Sequence, residues 1–137
     1  MEKKTDSTFK YRQLLGCKCL KMRMASRIAT QFYDKKLKPI KIKITQFTIL
    51  SIIASNNNKT VSSLSSELLM DRTTLTRSLD ILIKQKLIKN IKSKDARERI
   101  VELTTQGHVI LEQAIPLWKE AEEEIFDECK KYGFSAF

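Results

Sequence analysis

Side chains that could act as nucleophiles or proton carriers are few in this chain. The thiols are Cys17, Cys19 and Cys129, and the single imidazole belongs to His108. Nucleophilic catalysis needs a base positioned beside the nucleophile, and His108 is far in sequence from each cysteine. The sequence has no glycine-rich phosphate loop and no cluster of metal ligands. We therefore expect no catalytic residue, no metal and no cofactor, and a thiol peroxidase or hydrolase is the least favoured class.

Hydroxyl and guanidinium groups are concentrated between residues 72 and 77. The set consists of Arg72, Thr73, Thr74, Thr76 and Arg77. Arginine pairs with guanine through two hydrogen bonds, and threonine can bond to bases or contact a thymine methyl group. Leucines at 75, 79 and 82 recur at helical spacing and would hold the back of such a helix against a core. The pattern favours a helix that reads base edges over the alternative, a solvated helix face.

A second cationic group follows this helix. Residues 92–99 contain four cations, and the side chains proposed to contact DNA are Lys94, Asp95, Arg97 and Arg99. The flanking segments 87–91 and 99–103 have strand character, so the pattern predicts a hairpin with a charged tip. Such tips also discourage strand pairing at sheet edges. Because this one follows the candidate reading helix, we favour a wing whose arginine enters the minor groove.

Ser62 and Ser63 lie near the start of a short predicted helix, residues 61–69, for which Thr60 is the candidate N-cap. Serine hydroxyls and a helix N-terminus can donate hydrogen bonds to phosphates. The alternative interpretation, that both serines are only surface or capping residues, stays open for each of them.

These groups must be positioned by a mainly α-helical fold. Apolar spacing predicts helices over residues 11–37, 44–55, 61–69, 72–86 and 106–126, with the two strands before the last helix. We expect a loose basic tail over residues 1–10, and a bend at Pro116 within the last helix. The element order predicts a winged helix-turn-helix head with a two-stranded β-hairpin wing, plus long N- and C-terminal helices. The first helix has apolar residues on more than one face, so it should pack against more than its own domain.

The charge is distributed unevenly. The chain has 137 residues, the length of one domain, and a net charge of +10. Residues 1–111 hold 23 of the 26 basic side chains, whereas residues 112–137 hold three basic and seven acidic ones. An anionic polymer is the simplest partner for such a surface. The sequence has no apolar run of about 20 residues and no apolar signal-peptide core, so we expect a cytoplasmic protein without membrane contact.

Several motifs in order resemble one family of bacterial regulators. They are Asp71-Arg72-Thr73-Thr74-Leu75-Thr76-Arg77, Lys86-Leu87-Ile88, Asp95-Ala96-Arg97 and Val101-Glu102-Leu103-Thr104-Thr105-Gln106-Gly107. With these motifs the chain resembles the MarR family of winged-helix regulators over about residues 14–126. Gly16-Cys17-Lys18-Cys19-Leu20 and Pro116-Leu117-Trp118 are similar to members that carry a Cys-x-Cys in the first helix.

The resemblance implies a homodimer bound to double-stranded DNA. Helices at 10–38 and 105–128 would form the dimerisation scaffold, and residues 42–104 would form the head of a single domain spanning 1–137. Thr73, Thr74 and Arg77 would contact the major groove and Arg97 the minor groove, with Asp95 holding the wing arginine. The implied function is a regulator, by analogy a repressor, bound to a pseudo-palindromic operator. The segment after Asp127 is shorter than in many members, which can alter the dimer interface.

The cysteines at 17 and 19 are candidates for sensing oxidants or electrophiles. On one helix they would lie about 200° apart and could not face each other. Neighbouring cations make a thiol more reactive, and by the resemblance Cys19 falls near the sensing cysteine of a peroxide-responsive branch. The alternative is that both are small apolar core residues. Family members also release DNA on binding small aromatic or phenolic effectors.

A third class of protein stays open beside the regulator and the enzyme. The chain could be a basic nucleic-acid-binding or interaction module without sequence-specific gene regulation. Its affinity for DNA would then depend on salt but not on base sequence.

Overall fold

Six α-helices and three short strands make up the part of the chain that the structure describes. The structure is a computed structural model and describes residues 2–56 and 59–135. Its elements are α1 (Glu2–Leu14), α2 (Lys18–Leu37), a 3₁₀ turn (Lys38–Ile40), α3 (Ile44–Ser55), β1 (Lys59–Thr60), α4 (Val61–Leu68), α5 (Arg72–Lys84), β2 (Ile88–Ile91), β3 (Ile100–Leu103) and α6 (Thr105–Lys130).

The hydrophobic core lies between α3, α4, α5 and the sheet. Its most completely buried side chains include Leu50, Leu64, Leu75, Leu79, Leu82 and Val101. The predicted bounds of α3 are confirmed residue for residue, and α4 and α5 end one and two residues before their predicted ends. Leu69 and Lys86, just beyond these ends, have a positive φ. Residues in this left-handed conformation cannot continue a right-handed helix, which explains the earlier ends.

The sheet has three strands rather than the two predicted. The strand order is β1-β3-β2, and both pairings are antiparallel. Strands β2 and β3 form the expected hairpin, with Ile88 opposite Leu103 and Ile91 opposite Ile100. The added strand β1 is only two residues long and pairs with the start of β3. A strand of this length is too short to show an alternation of apolar and polar residues. The sequence pattern therefore could not indicate it.

The long first helix predicted over residues 11–37 is wrong, because two helices occupy this region. Helix α1 already begins at Glu2, so the loose tail predicted over residues 1–10 is also wrong for its described part. The Leu15, Gly16 and Cys17 N–H groups bond to carbonyls three residues earlier, which tightens the turn after Leu14. Gly16 weakens a helix at this point. The apolar spacing runs through both helices and therefore conceals the break.

Helix α6 packs along α2. The Tyr33 hydroxyl donates a hydrogen bond to Glu122 Oε1 at 2.5 Å, and Lys36 Nζ lies 2.7 and 2.6 Å from carboxylate oxygens of Glu120 and Glu124. The hydroxyl is partly buried, and this burial together with the Glu122 carboxylate raises the pKa of Tyr33. The chain thus joins its N-terminal and C-terminal helices into one packed pair.

The start of α6 requires a glycine. A Cβ atom at Gly107 would lie 2.0 Å from the Leu87 carbonyl oxygen, so no larger residue fits. Thr104 caps the helix, since its side chain accepts a hydrogen bond from the Gly107 N–H and its own N–H bonds to Leu87 O. These contacts fix α6 to the segment that joins α5 to β2. The helix continues through Pro116 and ends at Lys130.

Elements α3 to β3 form a winged helix-turn-helix head, in which β2 and β3 are the wing. This confirms the predicted fold class. Within residues 2–56 and 59–135, none of the helices combines the length and the apolar character that crossing a bilayer requires.

Candidate nucleic-acid interface

A three-residue turn sets the angle between α4 and α5. Leu69 adopts the left-handed conformation, and the Met70 N–H bonds to the Ser65 carbonyl at 3.1 Å. The Ser65 hydroxyl donates to Met70 O at 2.6 Å. These bonds satisfy backbone groups that the end of α4 would leave without partners. The turn therefore holds two short helices in the arrangement of a helix-turn-helix.

Asp71 caps α5. One of its carboxylate oxygens accepts a hydrogen bond from the Thr74 N–H at 3.0 Å, and the other accepts from the Thr74 hydroxyl at 2.7 Å. The bond from the Thr74 backbone, followed by the bond from its hydroxyl, lowers the pKa of Asp71. The Thr74 hydroxyl hydrogen is thus already used within the chain. Its oxygen and its methyl group are what Thr74 offers to a ligand.

The polar residues of α5 lie on its solvent side. Arg72, Thr73, Thr74 and Arg77 are exposed, and Thr76 is half-buried. On the opposite side, the leucines at 75, 79 and 82 are completely buried. The helix is therefore fixed by its apolar face, and its first two turns present guanidinium and hydroxyl groups outward.

The two serines of α4 have different surroundings. Ser62 is exposed, whereas Ser63 is half-buried. The Ser63 N–H donates to Thr60 Oγ1 at 3.1 Å, which confirms Thr60 as the N-cap of α4. Ser62 is therefore better placed than Ser63 to contact a phosphate.

The wing tip is exposed and locally ordered by hydrogen bonds. Lys94, Asp95 and Arg97 are all solvent-exposed. Asp95 Oδ1 accepts from the Arg97 backbone N–H at 3.0 Å, and the Asp95 N–H donates to Ser93 Oγ at 3.2 Å. Asp95 therefore shapes the turn through the Arg97 backbone. Among the described residues the Arg97 guanidinium group has no ion-pair partner, and it remains available to an external anion.

Arg99 differs from the other cations of the wing. Its Nη2 donates to Asp80 Oδ1 on α5 at 3.1 Å, and its Nε donates to Asn90 Oδ1 on β2 at 3.0 Å. These contacts tie the base of the wing to α5. Sequence reasoning missed Asp80 and Asn90 because the partners are 19 and 9 residues away from Arg99, and no local pattern links them.

The cysteines do not share one helix. Cys17 and Cys19 are both exposed, and only Cys19 lies within α2, because Cys17 is the residue before its first turn. The predicted separation of about 200° around a helix axis therefore does not apply to this pair. Cys129 is buried near the end of α6, beside Ala25 and Ala29 of α2. Within one chain, Cys17 and Cys19 are thus surface thiols and not core residues.

Helix α5 has a capped start and an exposed polar face. The neighbouring wing carries an arginine at its tip that has no ion-pair partner among the described residues. These features are those of a winged helix-turn-helix protein. A family model described as "MarR family" matches residues 42–98. No curated protein gives a significant match.

Solved structures with this fold include complexes with DNA. The transcriptional regulator MosR of M. tuberculosis, solved in complex with DNA, is 35% identical with a TM-score of 0.76, and the match covers 81% of each chain. A cysteine-to-serine mutant of MarR from E. coli, complexed with operator DNA, is 27% identical with a TM-score of 0.73, covering 82% of this chain and 85% of that one. The chain therefore belongs to the MarR family. The members of this family are transcriptional regulators and not enzymes.

Proposed function

We propose that this chain is a sequence-specific repressor that binds a pseudo-palindromic operator as a homodimer. The observation that carries the proposal is the geometry of α5. Asp71 fixes its start, three leucines bury its back, and Arg72, Thr73 and Arg77 face solvent. The N-terminal residues of such a helix are the ones that reach base edges in the major groove.

The remaining site residues have complementary roles in this proposal. Thr74 and Thr76 contact the same groove through oxygen and methyl groups, and Arg97 enters the minor groove. Backbone phosphates are bound by Ser62, Ser63 and Lys94, which set the register without reading sequence. Arg99 reaches DNA only if it leaves Asp80, so its main role in the proposal is to hold the wing beside α5.

The homodimer is supported by apolar side chains that one chain leaves in water. Phe9, Leu14, Leu15 and Met22 are between 66% and 69% exposed, and Phe126 and Tyr132 near the end of α6 are 63% and 61% exposed. Exposed apolar residues in such number indicate a contact surface. In the proposed arrangement, residues 1–137 form one domain, whose segments 10–38 and 105–128 associate with those of a second copy.

Discrimination between base sequences is the property to test. A duplex selected from a random-sequence library would be titrated with the wild type, Arg77→Ala and Arg77→Lys. If Arg77 makes a bidentate contact, Arg77→Ala loses about 1–3 kcal/mol of discrimination at one base pair. Arg77→Lys keeps the charge but not the planar fork, so it should lose discrimination while keeping affinity for random DNA.

Arg97→Ala provides the second arm of this test. It should weaken binding to all duplexes and reduce the salt dependence, because a cation is removed from the minor groove. A wild type that binds every duplex equally, with affinity set by salt alone, would instead favour the nonspecific basic module.

Release from DNA is proposed to follow oxidation of Cys17 or Cys19, or binding of a small phenolic or aromatic effector. Both thiols are exposed in a single chain, and this supports the first route for any thiol that the proposed dimer leaves accessible, because a reactive cysteine must be accessible. Any effector must bind the conformation unable to bind DNA more tightly than the competent one. A Cys17→Ser, Cys19→Ser double variant should remain on the operator under peroxide. Release at the wild-type rate would exclude these cysteines as sensors.

A further inference from the structure

A cationic cleft lies where α2 meets α3, outside the residues assigned to DNA contact above. We call it the lysine cleft. Its volume is about 650 Å³, and it is lined by Gln31, Asp34, Lys35, Lys38, Lys41, Ile42 and Lys43. The four lysines are exposed and Ile42 forms a buried floor. The cleft therefore concentrates positive charge in a concave surface.

The acidic residue of this lining is occupied within the chain. Asp34 Oδ1 accepts a hydrogen bond from the Ile44 N–H at 2.8 Å, and Oδ2 lies 3.9 Å from Lys43 Nζ. The ammonium groups of Lys35, Lys38 and Lys41 have no hydrogen-bond or ion-pair partner among the described residues. Three uncompensated cations thus remain to attract an external anion.

Helix stability accounts for only two of the four lysines. The negative end of the α2 dipole favours cations near residue 37, which explains Lys35 and Lys38. Lys41 and Lys43 lie instead before the first turn of α3, where the dipole is positive and favours anions. Lys41 also adopts the left-handed conformation with φ of 60°, which is uncommon for a residue other than glycine or asparagine. These two lysines are placed against local preference, as expected of a binding surface.

A hydrogen bond connects the element that borders the cleft with the C-terminal end of α5. Gln46 Nε2 in the first turn of α3 donates to Oε1 of Gln85, the residue that follows α5, at 3.2 Å. Gln85 is flanked by Lys84 and Lys86, both exposed. Cationic side chains therefore extend from the end of α5 to the lysine cleft.

A small-molecule site would have a different composition. Such sites bury most of the ligand among apolar and aromatic side chains, whereas the lining here consists mainly of exposed lysines. Exposed lysines act as point charges that suit a chain of phosphates.

From this geometry we infer that the lysine cleft binds the phosphate backbone of the operator duplex outside the base pairs read by α5. The inference rests on the proposed function, since it assumes that α5 occupies the major groove. It predicts a footprint longer than the sequence that the protein recognises. The contact is electrostatic and independent of base sequence.

Two duplexes and two matched variants test this inference. Both duplexes contain the selected operator; one ends at its last specific base pair, and the other continues by about ten base pairs, one helical turn, on each side. The test variant is Lys38→Gln with Lys41→Gln. The control is Lys130→Gln with Lys131→Gln, which removes the same charge from exposed positions at the C-terminal end of α6, outside residues 10–38 and 105–128. Thermal unfolding checks that all proteins fold equally well.

The wild type and the control should prefer the long duplex, by about tenfold at low salt, and the test variant should lose most of this preference. Its slope of log affinity against log salt on the long duplex should fall by about 0.9 for each phosphate that the variant no longer neutralises. A test variant that matches the control in both quantities overturns the inference. Inorganic pyrophosphate bound by the wild type but not by the test variant, with no effect of duplex length, would also overturn it and indicate a small-anion site. Failure of the proposed function is a separate result, in which the wild type selects no sequence at all.

Discussion

The head and the N-terminal helices differ in how far one chain completes their packing. In the head, Leu64, Leu75, Leu79 and Leu82 have no solvent exposure. In α1 and the start of α2, Ala25 is the first buried residue, and every described side chain from Ser7 to Met24 is exposed. The head therefore has a finished core, whereas the N-terminal region has apolar side chains without a core of their own.

The head and the N-terminal helices therefore depend to different degrees on association with a second chain. Apolar burial stabilises the head within each chain by about 25 cal/mol per Å² of buried surface. The N-terminal helices gain that stabilisation only if another surface covers them. We expect mutations in the head to act on folding, and mutations in the N-terminal region to act on dimer formation.

The largest effect is expected for Leu79→Ala in the head. Removing a fully buried leucine side chain should lower the free energy of unfolding by about 2–5 kcal/mol, since it leaves a cavity. Denaturant unfolding at several protein concentrations measures this. The matched variant Leu14→Ala, in α1, should give a destabilisation that shrinks towards zero as the protein is diluted below the dissociation constant of the dimer, because both proteins are then monomers. A large destabilisation by Leu14→Ala that is independent of concentration would remove the contrast between the regions.

Met22→Glu is expected to destabilise the folded chain less than Leu79→Ala does. Its main effect should be on the assembly of the dimer. Met22 is 69% exposed, so a charge there should leave the head folded and weaken the dimer at least tenfold, or about 1.4 kcal/mol. Sedimentation across a range of concentrations is the measurement. Ile81→Glu, at a 51% exposed position of α5, serves as the control and should not alter the oligomeric state. Equal dissociation in both variants, or in neither, would contradict the assigned interface.

The smallest effect concerns the contact between α2 and α6. Tyr33→Phe removes the hydrogen bond to Glu122 and should cost about 1 kcal/mol or less. Because the pKa of Tyr33 is raised in the folded chain, its hydroxyl stabilises the fold below the ordinary tyrosine pKa, and this stabilisation is lost as the pH rises above about 10. The stability difference between wild type and variant should therefore shrink in alkaline solution. A difference that stays constant as the pH rises well above the ordinary tyrosine pKa would mean that this hydroxyl is not linked to folding.

The sequence predicted the head better than the N-terminal region for a physical reason. The starts of α4, α5 and α6 are marked by Thr60, Asp71 and Thr104, and the side chain of each makes a capping bond. Caps are local, so single-sequence reasoning detects them. The turn at Gly16 interrupts an apolar pattern that continues on both sides, which gives no comparable signal.

The sequence predicted which residues make up the candidate site, but not the contacts between elements that hold these residues in place. The exposed face of α5 followed from the spacing of its leucines, and the wing tip followed from its cations. The ion pair of Arg99 with Asp80 joins residues from separate elements and arises only when the chain folds. The lysine cleft likewise depends on how α2 meets α3, so the spacing of its lysines in the sequence did not indicate it.

Hydroxyl-radical footprinting of the protein on its selected operator tests the proposed binding mode. In this mode, two heads of one homodimer each place an α5 helix in the major groove of a single duplex. It predicts two protected segments related by a two-fold axis, on one face of the DNA, with centres about one helical turn, or a multiple of it, apart. Arg97→Ala should remove the protection of the minor groove beside each segment. A single protected segment, or protection that does not depend on base sequence, would contradict the account.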